Sequence, residues 1–197
     1  MKEERKFNPA SIDKLNDPAR LERESPDLIW SELGLKDPRT LVDIGAGTGF
    51  FAFPFARKLT GGTVYACDLQ KEMLDWMAGH LPADVKHSIA LVQMEEVAVP
   101  LDSEIADLVY MINLHHELED PVASLREARR LLKEGATLMV IDWKKAETPA
   151  GPPLHIRVDK DEIVQDMRDA GFGGIADHPV LPYHNFITAR KRSDAHA

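Results

Sequence analysis

Short apolar runs alternate with amphipathic, helix-length segments from Thr40 almost to the end of the chain. The runs have the length and the β-branched content of buried strands, and the segments between them repeat apolar residues every three to four positions, as helices do. The pattern predicts strands at 40–44, 63–68, 86–93, 106–114, 136–143, 175–181 and 184–191. It predicts helices at 50–59, 71–80, 121–135 and 159–172.

Strands separated by helix-length segments indicate βαβ units, and therefore an α/β fold with a parallel sheet. Right-handed crossovers place helices on both faces of such a sheet, which is then doubly wound. The last two predicted strands flank Pro182 with no room for a helix. They must form a hairpin, so we expect a mostly parallel, seven-stranded sheet with an antiparallel C-terminal strand.

The first 38 residues differ from the rest because they are polar and contain four prolines. Helices are predicted at 9–22 and 25–34, and Gly34 is a helix stop signal. We interpret 1–38 as an N-terminal helical extension and 39–197 as the main domain. The extension either forms a lid, with Phe7 and 14–21 folded over a ligand, or packs on the edge of the sheet.

The strongest motif is Asp43-Ile44-Gly45-Ala46-Gly47-Thr48-Gly49, between the first strand and the first helix of the sheet. Small residues let the backbone turn sharply and approach a ligand, and the helix N-terminus favours an anionic group. Asp68 ends the next strand, 19 residues after Gly49, where an acid can accept hydrogen bonds from ribose hydroxyls. As a strand-end residue, Asp68 is expected to be exposed and to contribute little to the core.

The spacing of the loop limits which nucleoside it binds. A dinucleotide fold needs G-x-G-x-x-G, but here the third glycine comes one residue early and Phe50 occupies its place. No G-K-[ST] follows, so the loop is not a Walker P-loop. An acid at Asp43, two residues before the first glycine, suits a ligand ammonium. The combination of an acid with an anion-binding helix end suits a zwitterionic amino-acid tail.

These residues identify a resemblance to the class I S-adenosylmethionine-dependent methyltransferases. The match consists of D-I-G-A-G-T-G, V-Y-A-C-D-L and A-D-L-V-Y-M-I-N-L-H-H-E-L, and it covers about 40–190. V-P-L, L-H-H-E-L and L-R-E-A-R-R-L-L-K-E-G are similar to the group around the ubiquinone and menaquinone biosynthesis methyltransferases (type 11). The resemblance implies a Rossmann-like sheet and S-adenosyl-L-methionine as cofactor.

The resemblance also implies which residues bind the cofactor. The Gly loop would line its amino-acid end, Asp43 would face its ammonium, and Asp68 would bind its ribose. Leu69 would pack on the adenine, Glu95 would accept from the adenine amino group, and Asn113 would lie beneath the cofactor. Glu95 is also consistent with a solvated loop acid. The expected cofactor-binding set is Asp43, Gly45, Ala46, Gly47, Thr48, Gly49, Asp68, Leu69, Glu95 and Asn113.

Methyl transfer needs alignment of donor and acceptor, and it needs a base only if the acceptor carries a proton. The acceptor side of the predicted sheet holds a polar cluster directly after strand four, at 115–120. His115 or His116 is a candidate general base, since the pKa of histidine lies near neutrality. The alternative is that these residues orient the loop before Pro121, so no catalytic residue is assigned. No metal is expected, because adjacent His side chains diverge.

Composition narrows the partners. The net charge is −9, no apolar run has the length of a membrane span, and the chain has one cysteine, Cys67. Nucleic-acid-binding proteins carry basic faces, so we expect no nucleic-acid partner and no membrane span. The sequence predicts a cytoplasmic S-adenosylmethionine-dependent methyltransferase with a small-molecule acceptor, oligomeric state open. The alternative is a non-catalytic S-adenosylmethionine-binding regulatory or interaction module.

Overall fold

The computed structural model describes residues 8–192, and a single seven-stranded sheet is its centre. The strands are β1 (Thr40–Ile44), β2 (Thr63–Asp68), β3 (Ile89–Gln93), β4 (Ala106–Ile112), β5 (Leu132–Trp143), β6 (Phe172–Asp177) and β7 (His184–Lys191). The α-helices are α1 (Arg20–Arg23), α2 (Pro26–Leu33), α3 (Ala52–Lys58), α4 (Lys71–His80), α5 (Pro121–Leu131) and α6 (Lys160–Asp169). Short 3₁₀ helices span Pro9–Asn16, His115–Glu117 and Leu154–Ile156.

The strand order is β3-β2-β1-β4-β5-β7-β6. All neighbouring strands are parallel except that β7 runs antiparallel to both β5 and β6. The predicted Rossmann-like, doubly wound sheet with an antiparallel C-terminal strand is therefore confirmed. The chain builds outward from β1 in one direction and then restarts at β4 on the other side. Ligands of open α/β sheets bind at such a switch point, beyond the carboxyl ends of the strands.

Helices cover both faces of the sheet, and each face has its own apolar core. On one face α5 and α6 contribute Leu125, Leu131, Ile163 and Met167, all fully buried. On the other face, α2, α3 and α4 contribute the buried side chains Ile29, Phe55, Ala56 and Met77. The β-branched and aliphatic residues of β1, β4 and β5 fill the space between. The central strands are therefore buried between two apolar cores.

The N-terminal extension departs from the predicted helix at 9–22. The structure has a 3₁₀ helix, Pro9–Asn16, followed by the short α1. Pro18 disfavours helical backbone in the residue before it. The Asp17 side chain accepts a hydrogen bond from the Ala19 N–H at 2.9 Å, which stabilises a turn instead. The second predicted helix is present as α2 and ends at Gly34, which has a left-handed φ of 56°.

Several other predicted boundaries were wrong at the ends of elements. Strand β6 begins at Phe172 rather than 175, because α6 closes at Gly171, where φ is +86°, and the chain enters the sheet at once. Strand β5 begins at Leu132, four residues before the predicted start. Within residues 8–192, no helix combines the length and the apolar character that crossing a membrane requires.

Candidate active site

A cavity of about 650 Å³ lies at the carboxyl ends of β1, β2, β4 and β5. Eight of the ten expected cofactor-binding residues line it: Asp43, Gly45, Ala46, Gly47, Thr48, Asp68, Leu69 and Asn113. Gly49 and Glu95 are not among its lining residues. The topology therefore brings most of the expected set together, although the members come from three different strand ends.

The Gly loop is folded back onto the neighbouring strand. The N–H groups of Gly45 and Ala46 both donate to the Cys67 carbonyl, at 2.9 and 3.0 Å. All three glycines of the loop have positive φ, a conformation that other residues adopt only with strain. A Cβ atom on Gly49 would lie 2.8 Å from the Phe53 ring. Gly49 thus allows α3 to pack against the loop, whereas the first two glycines face the cavity.

Asp68 holds this loop in place. Its Oδ2 accepts a hydrogen bond from the Gly47 N–H at 2.8 Å, and its Oδ1 accepts one from the Gln70 N–H at 2.8 Å. The side chain is buried, and burial raises the pKa of Asp68. The expectation that Asp68 is exposed and contributes little to the fold was wrong, because strand end, loop and α4 close around it. Its carboxylate still lines the cavity and retains lone pairs for a ligand.

Asp43 is a second buried acid beside the cavity. Burial raises its pKa well above the usual range, and the negative charge of Asp68 raises it further. Two buried carboxylates at one edge of a cavity favour a ligand that brings positive charge. The nearby Cys67 thiol is also buried, and burial raises its pKa. The charges of Asp43 and Asp68 raise that pKa further, so the thiol stays protonated.

Asn113 follows β4 in left-handed backbone, with a φ of 58°. Its N–H donates to the Ile141 carbonyl at 2.8 Å, and its Nδ2 donates to Glu24 Oε2 at 2.8 Å. Its Oδ1 is buried and has no hydrogen-bond partner in residues 8–192. A buried acceptor without a partner is costly. Because Asn113 lines the cavity, this oxygen is available to a ligand N–H or O–H.

The N-terminal extension forms one wall of the same cavity. Glu24 is fully buried and binds both Arg20, through Nε to Oε1 at 2.6 Å, and Asn113. The Arg20 guanidinium lies 4.2 Å from the centre of the Phe50 ring. Thr48 Oγ1 donates to Asn16 Oδ1 at 2.9 Å. Phe7, which the sequence places in a lid, lies outside the described residues.

The segment after β3 contacts the cavity through a different acid from the one expected. Glu95 forms an isolated antiparallel bridge with Ala98, its N–H donating to that carbonyl at 2.9 Å. Met94 and Glu96 line the cavity instead. Leu69 also lines the cavity, and 37% of its surface is exposed, so it offers apolar surface to a ligand.

One wall at the far end of the cavity is mostly apolar. Trp143, at the end of β5, and a loop of Ala150, Gly151, Pro152 and Pro153 form its wall. Arg157 braces this loop by donating to four backbone carbonyls at 2.8–3.3 Å; they belong to Lys144, Ala146, Ala150 and Pro152. Its guanidinium also lies 5.3 Å from the Trp143 ring. This wall is built from contacts that fix its shape.

The two adjacent histidines after β4 point in different directions. His115 Nε2 lies 2.9 Å from Asp166 Oδ2 on α6, away from the cavity. His116 Nδ1 lies 2.8 Å from Asp142 Oδ1, and His116 lines the cavity. Among residues 8–192, no group of three or more His, Cys, Asp or Glu side chains is placed to hold a metal ion.

Sequence reasoning missed Arg20, Glu24, Asp142 and Arg157. Arg20 and Glu24 are four apart on a short helix, which is the spacing of an ion pair, but nothing in the sequence places that pair at the site. Asp142 carried a signal, since it is an acid within the apolar run of β5. A charged residue in a buried strand requires a partner, and its partner here is His116.

The Gly loop and the buried acids Asp43 and Asp68 meet in the cavity at the switch point of the sheet, which is where open α/β sheets bind nucleoside ligands. Residues 42–140, half of the chain, match the Methyltransferase domain family. A crystal structure of a SAM dependent methyltransferase from Aquifex aeolicus is 33% identical, with a TM-score of 0.88, over 93% of this chain and 98% of that one. The chain belongs to the class I S-adenosylmethionine-dependent methyltransferases, and its cofactor is S-adenosylmethionine.

Two curated relatives carry more specific names. The ubiquinone/menaquinone biosynthesis C-methyltransferase of Paracoccus denitrificans is 30% identical over 59% of this chain and 47% of its own length. The malonyl-[acyl-carrier protein] O-methyltransferase of Halorhodospira halophila is 28% identical over 90% of this chain and 62% of its own length. The chain thus spans about half to three fifths of these relatives.

Proposed function

We propose that the protein transfers a methyl group from S-adenosylmethionine to a small-molecule acceptor. The observation that carries this proposal is the continuity of the cavity. It runs from the Gly loop, past Asn113, to the wall formed by His116 and Trp143. A volume of about 650 Å³ is within the range of small-ligand sites, and one cavity can hold donor and acceptor in contact.

The residues of the cavity fit the cofactor's chemistry. Asp43, Asp68 and the orphan Oδ1 of Asn113 together offer acceptors to an ammonium and to ribose hydroxyls. Leu69 and Met94 offer apolar surface to a purine ring. When bound, the cofactor supplies an electrophilic methyl group on a cationic sulfur. The chain's own task is then to orient the acceptor and exclude water.

We assign the N-terminal extension the role of a lid. Its residues Leu15, Arg20 and Glu24 line the cavity, and Thr48 and Asn113 bind it by side-chain hydrogen bonds. These bonds connect the N-terminal extension to the Gly loop and to the end of β4, and the cofactor would lie beside both. A covered cavity supports a small acceptor; one curated relative is named for ubiquinone and menaquinone biosynthesis, and the other for a malonyl group on an acyl-carrier protein. We also propose a cytoplasmic location, in keeping with a chain that has one cysteine, Cys67, and therefore no internal disulfide.

Two measurements test the proposal. Calorimetry should detect binding of S-adenosylmethionine and S-adenosylhomocysteine to the purified chain. Incubation with methyl-labelled S-adenosylmethionine and a small-metabolite extract should then yield a labelled product and S-adenosylhomocysteine. A folded protein that binds neither compound would refute cofactor binding. Tight binding without consumption of the donor would favour the non-catalytic binding module instead.

A further inference from the structure

The acceptor end of the cavity contains a histidine–aspartate pair with fixed geometry. Asp142 Oδ1 lies 2.8 Å from His116 Nδ1 and also accepts the Trp143 N–H at 2.7 Å, while Oδ2 accepts the His116 backbone N–H at 2.9 Å. Asp142 is 1% exposed and His116 is 5% exposed. The carboxylate is therefore held by two backbone amides, and it can only accept from the ring.

This arrangement fixes which ring nitrogen carries the hydrogen. An ionised carboxylate only accepts, so Nδ1 must donate to Asp142, and Nε2 of the neutral ring keeps its lone pair. Nε2 makes no hydrogen bond within the described residues, and the Glu117 carboxylate is 3.9 Å from it. His116 lines the cavity together with Trp143, Asn113 and the Gly loop.

We propose that His116 is the general base of the transfer, that Asp142 positions it, and that the acceptor carries a proton on the atom that becomes methylated. The acceptor is thus a hydroxyl compound, a thiol, an amine that carries an N–H or an activated carbon acid, rather than a tertiary amine or a thioether. The proposal rests on the proposed function and narrows its substrate class.

The proton and electron balance of the step is simple. As the acceptor atom forms its bond to the methyl carbon, the carbon–sulfur bond breaks and its electron pair stays on sulfur. Nε2 of His116 takes the proton that the acceptor atom loses. The imidazolium then has its positive charge next to Asp142, and it returns the proton to solvent after the product leaves. No oxidant, reductant or metal takes part.

The electrostatics of the pair are consistent with this role. Burial lowers the pKa of His116, and the positive charge of Arg157 lowers it slightly more. The carboxylates of Asp142 and Glu117 raise it by a larger amount, so the pKa lies above its ordinary value. Although burial alone would raise the pKa of Asp142, the histidine and the hydrogen bonds hold it low. Asp142 therefore stays ionised, and a proton on Nε2 is stabilised.

His115 provides a matched control because it is the adjacent residue and has its own carboxylate. It is fully buried against Asp166 and is not among the residues that line the cavity. If the histidines only anchor the loop after β4, then replacing either one by glutamine should have similar effects. If His116 is the base, only His116→Gln affects proton transfer.

The first test needs no acceptor. The full chain, labelled with ¹⁵N-histidine and bound to S-adenosylhomocysteine, is titrated by NMR, and His116 is assigned by its loss in His116→Gln. We expect a neutral ring protonated at Nδ1 that titrates above the ordinary histidine range, and a downward shift of that pKa in Asp142→Asn. A neutral ring protonated at Nε2, or a pKa unaffected by Asp142→Asn, would overturn the proposal.

The second test measures transfer from labelled S-adenosylmethionine to a defined mixture of phenols, thiols, 1,3-diketones, tertiary amines and thioethers. We expect label only in proton-bearing members, and a loss of roughly 10²–10⁴-fold in His116→Gln, the usual contribution of a general base. His115→Gln should transfer at close to the wild-type rate. His116→Ala should regain transfer on addition of imidazole.

The outcomes separate the two proposals. Failure of the wild-type chain to bind S-adenosylhomocysteine refutes the proposed function. If the wild-type chain binds S-adenosylhomocysteine normally, any one of three results refutes only the proposal that His116 is the base. These are transfer to tertiary amines or thioethers, no transfer to any proton-bearing compound, and an unimpaired His116→Gln variant.

Discussion

Replacing Asp68 by alanine tests whether one carboxylate both organises the Gly loop and binds the cofactor. The variant loses the acceptors of two backbone hydrogen bonds, from Gly47 and from Gln70, each 2.8 Å long. Both N–H groups lose this charged acceptor. We therefore expect two losses at once, in the free energy of unfolding and in the affinity for the cofactor.

The magnitude follows from the two bonds. A hydrogen bond to a charged group contributes about 1.5–3 kcal/mol. The raised pKa of Asp68 shows that desolvation offsets part of this contribution. We expect a net loss of about 2 kcal/mol in unfolding free energy, or roughly 4–8 °C in Tm for a domain of this size. Loss of a ribose contact should weaken binding by about ten- to a hundredfold.

Urea unfolding measures the first effect, and calorimetry with S-adenosylhomocysteine measures the second. Asp68→Asn keeps one acceptor and should lie between wild type and Asp68→Ala. Asp107→Ala is the matched control, because Asp107 Oδ2 accepts from the Arg39 and Thr40 N–H groups at the opposite end of the sheet. It should lose stability and keep its affinity. Wild-type stability in Asp68→Ala, or an equal loss of affinity in Asp107→Ala, would refute the reasoning.

Two further predictions concern the same site, and a third concerns the charge of the whole chain. Gly47→Val should abolish S-adenosylhomocysteine binding with little change in circular dichroism, whereas Gly135→Val, which introduces the same kind of φ strain (+70°) in open space, should bind normally. Because Asp43 and Asp68 have raised pKa values and a cationic ligand favours their ionised forms, binding of S-adenosylmethionine should release protons and tighten as pH rises from the ordinary carboxyl range. Calorimetry in buffers of different ionisation enthalpy measures this, and proton uptake would contradict it. With a net charge of −9, the chain should not shift duplex DNA or tRNA in a gel at physiological salt; a submicromolar shift would contradict this.

The part of the cavity around the Gly loop was predictable because its determinants are local in sequence. A strand, a glycine turn and a helix follow one another within 20 residues, and Asp68 ends the next strand along. Parallel packing with right-handed crossovers then leaves little freedom in where these ends meet. The misplaced boundaries, such as the start of β6, lie where a backbone conformation at Gly171 decides the end of a helix, and periodicity does not report φ.

The acceptor half was not predictable in the same way, since its contacts join residues far apart in sequence. Asn113 and Glu24 are 89 residues apart, and nothing in the pattern of apolar positions predicts that Glu24, a charged residue, is buried against Asn113. Glu24 can be buried because its carboxylate binds both Arg20 and Asn113. Burying the charge of Glu24 or Arg20 without its partner would be costly. Pairwise burial of this kind depends on three-dimensional register, which a single sequence does not contain.

The position of Asp142 follows from the register between strands β4 and β5. An acid near the end of an otherwise apolar strand needs a donor, and β5 lies parallel to β4 with Ile141 opposite Ile112. Asp142 is therefore level with the first residues after β4, so a donor in that loop can reach it. Two histidines occupy that loop, and the one whose backbone N–H also binds Asp142 is His116. Once the sheet order is known, Asp142 in β5 points to a donor in the loop after β4, and this contact selects His116 as the proposed base without reference to any ligand.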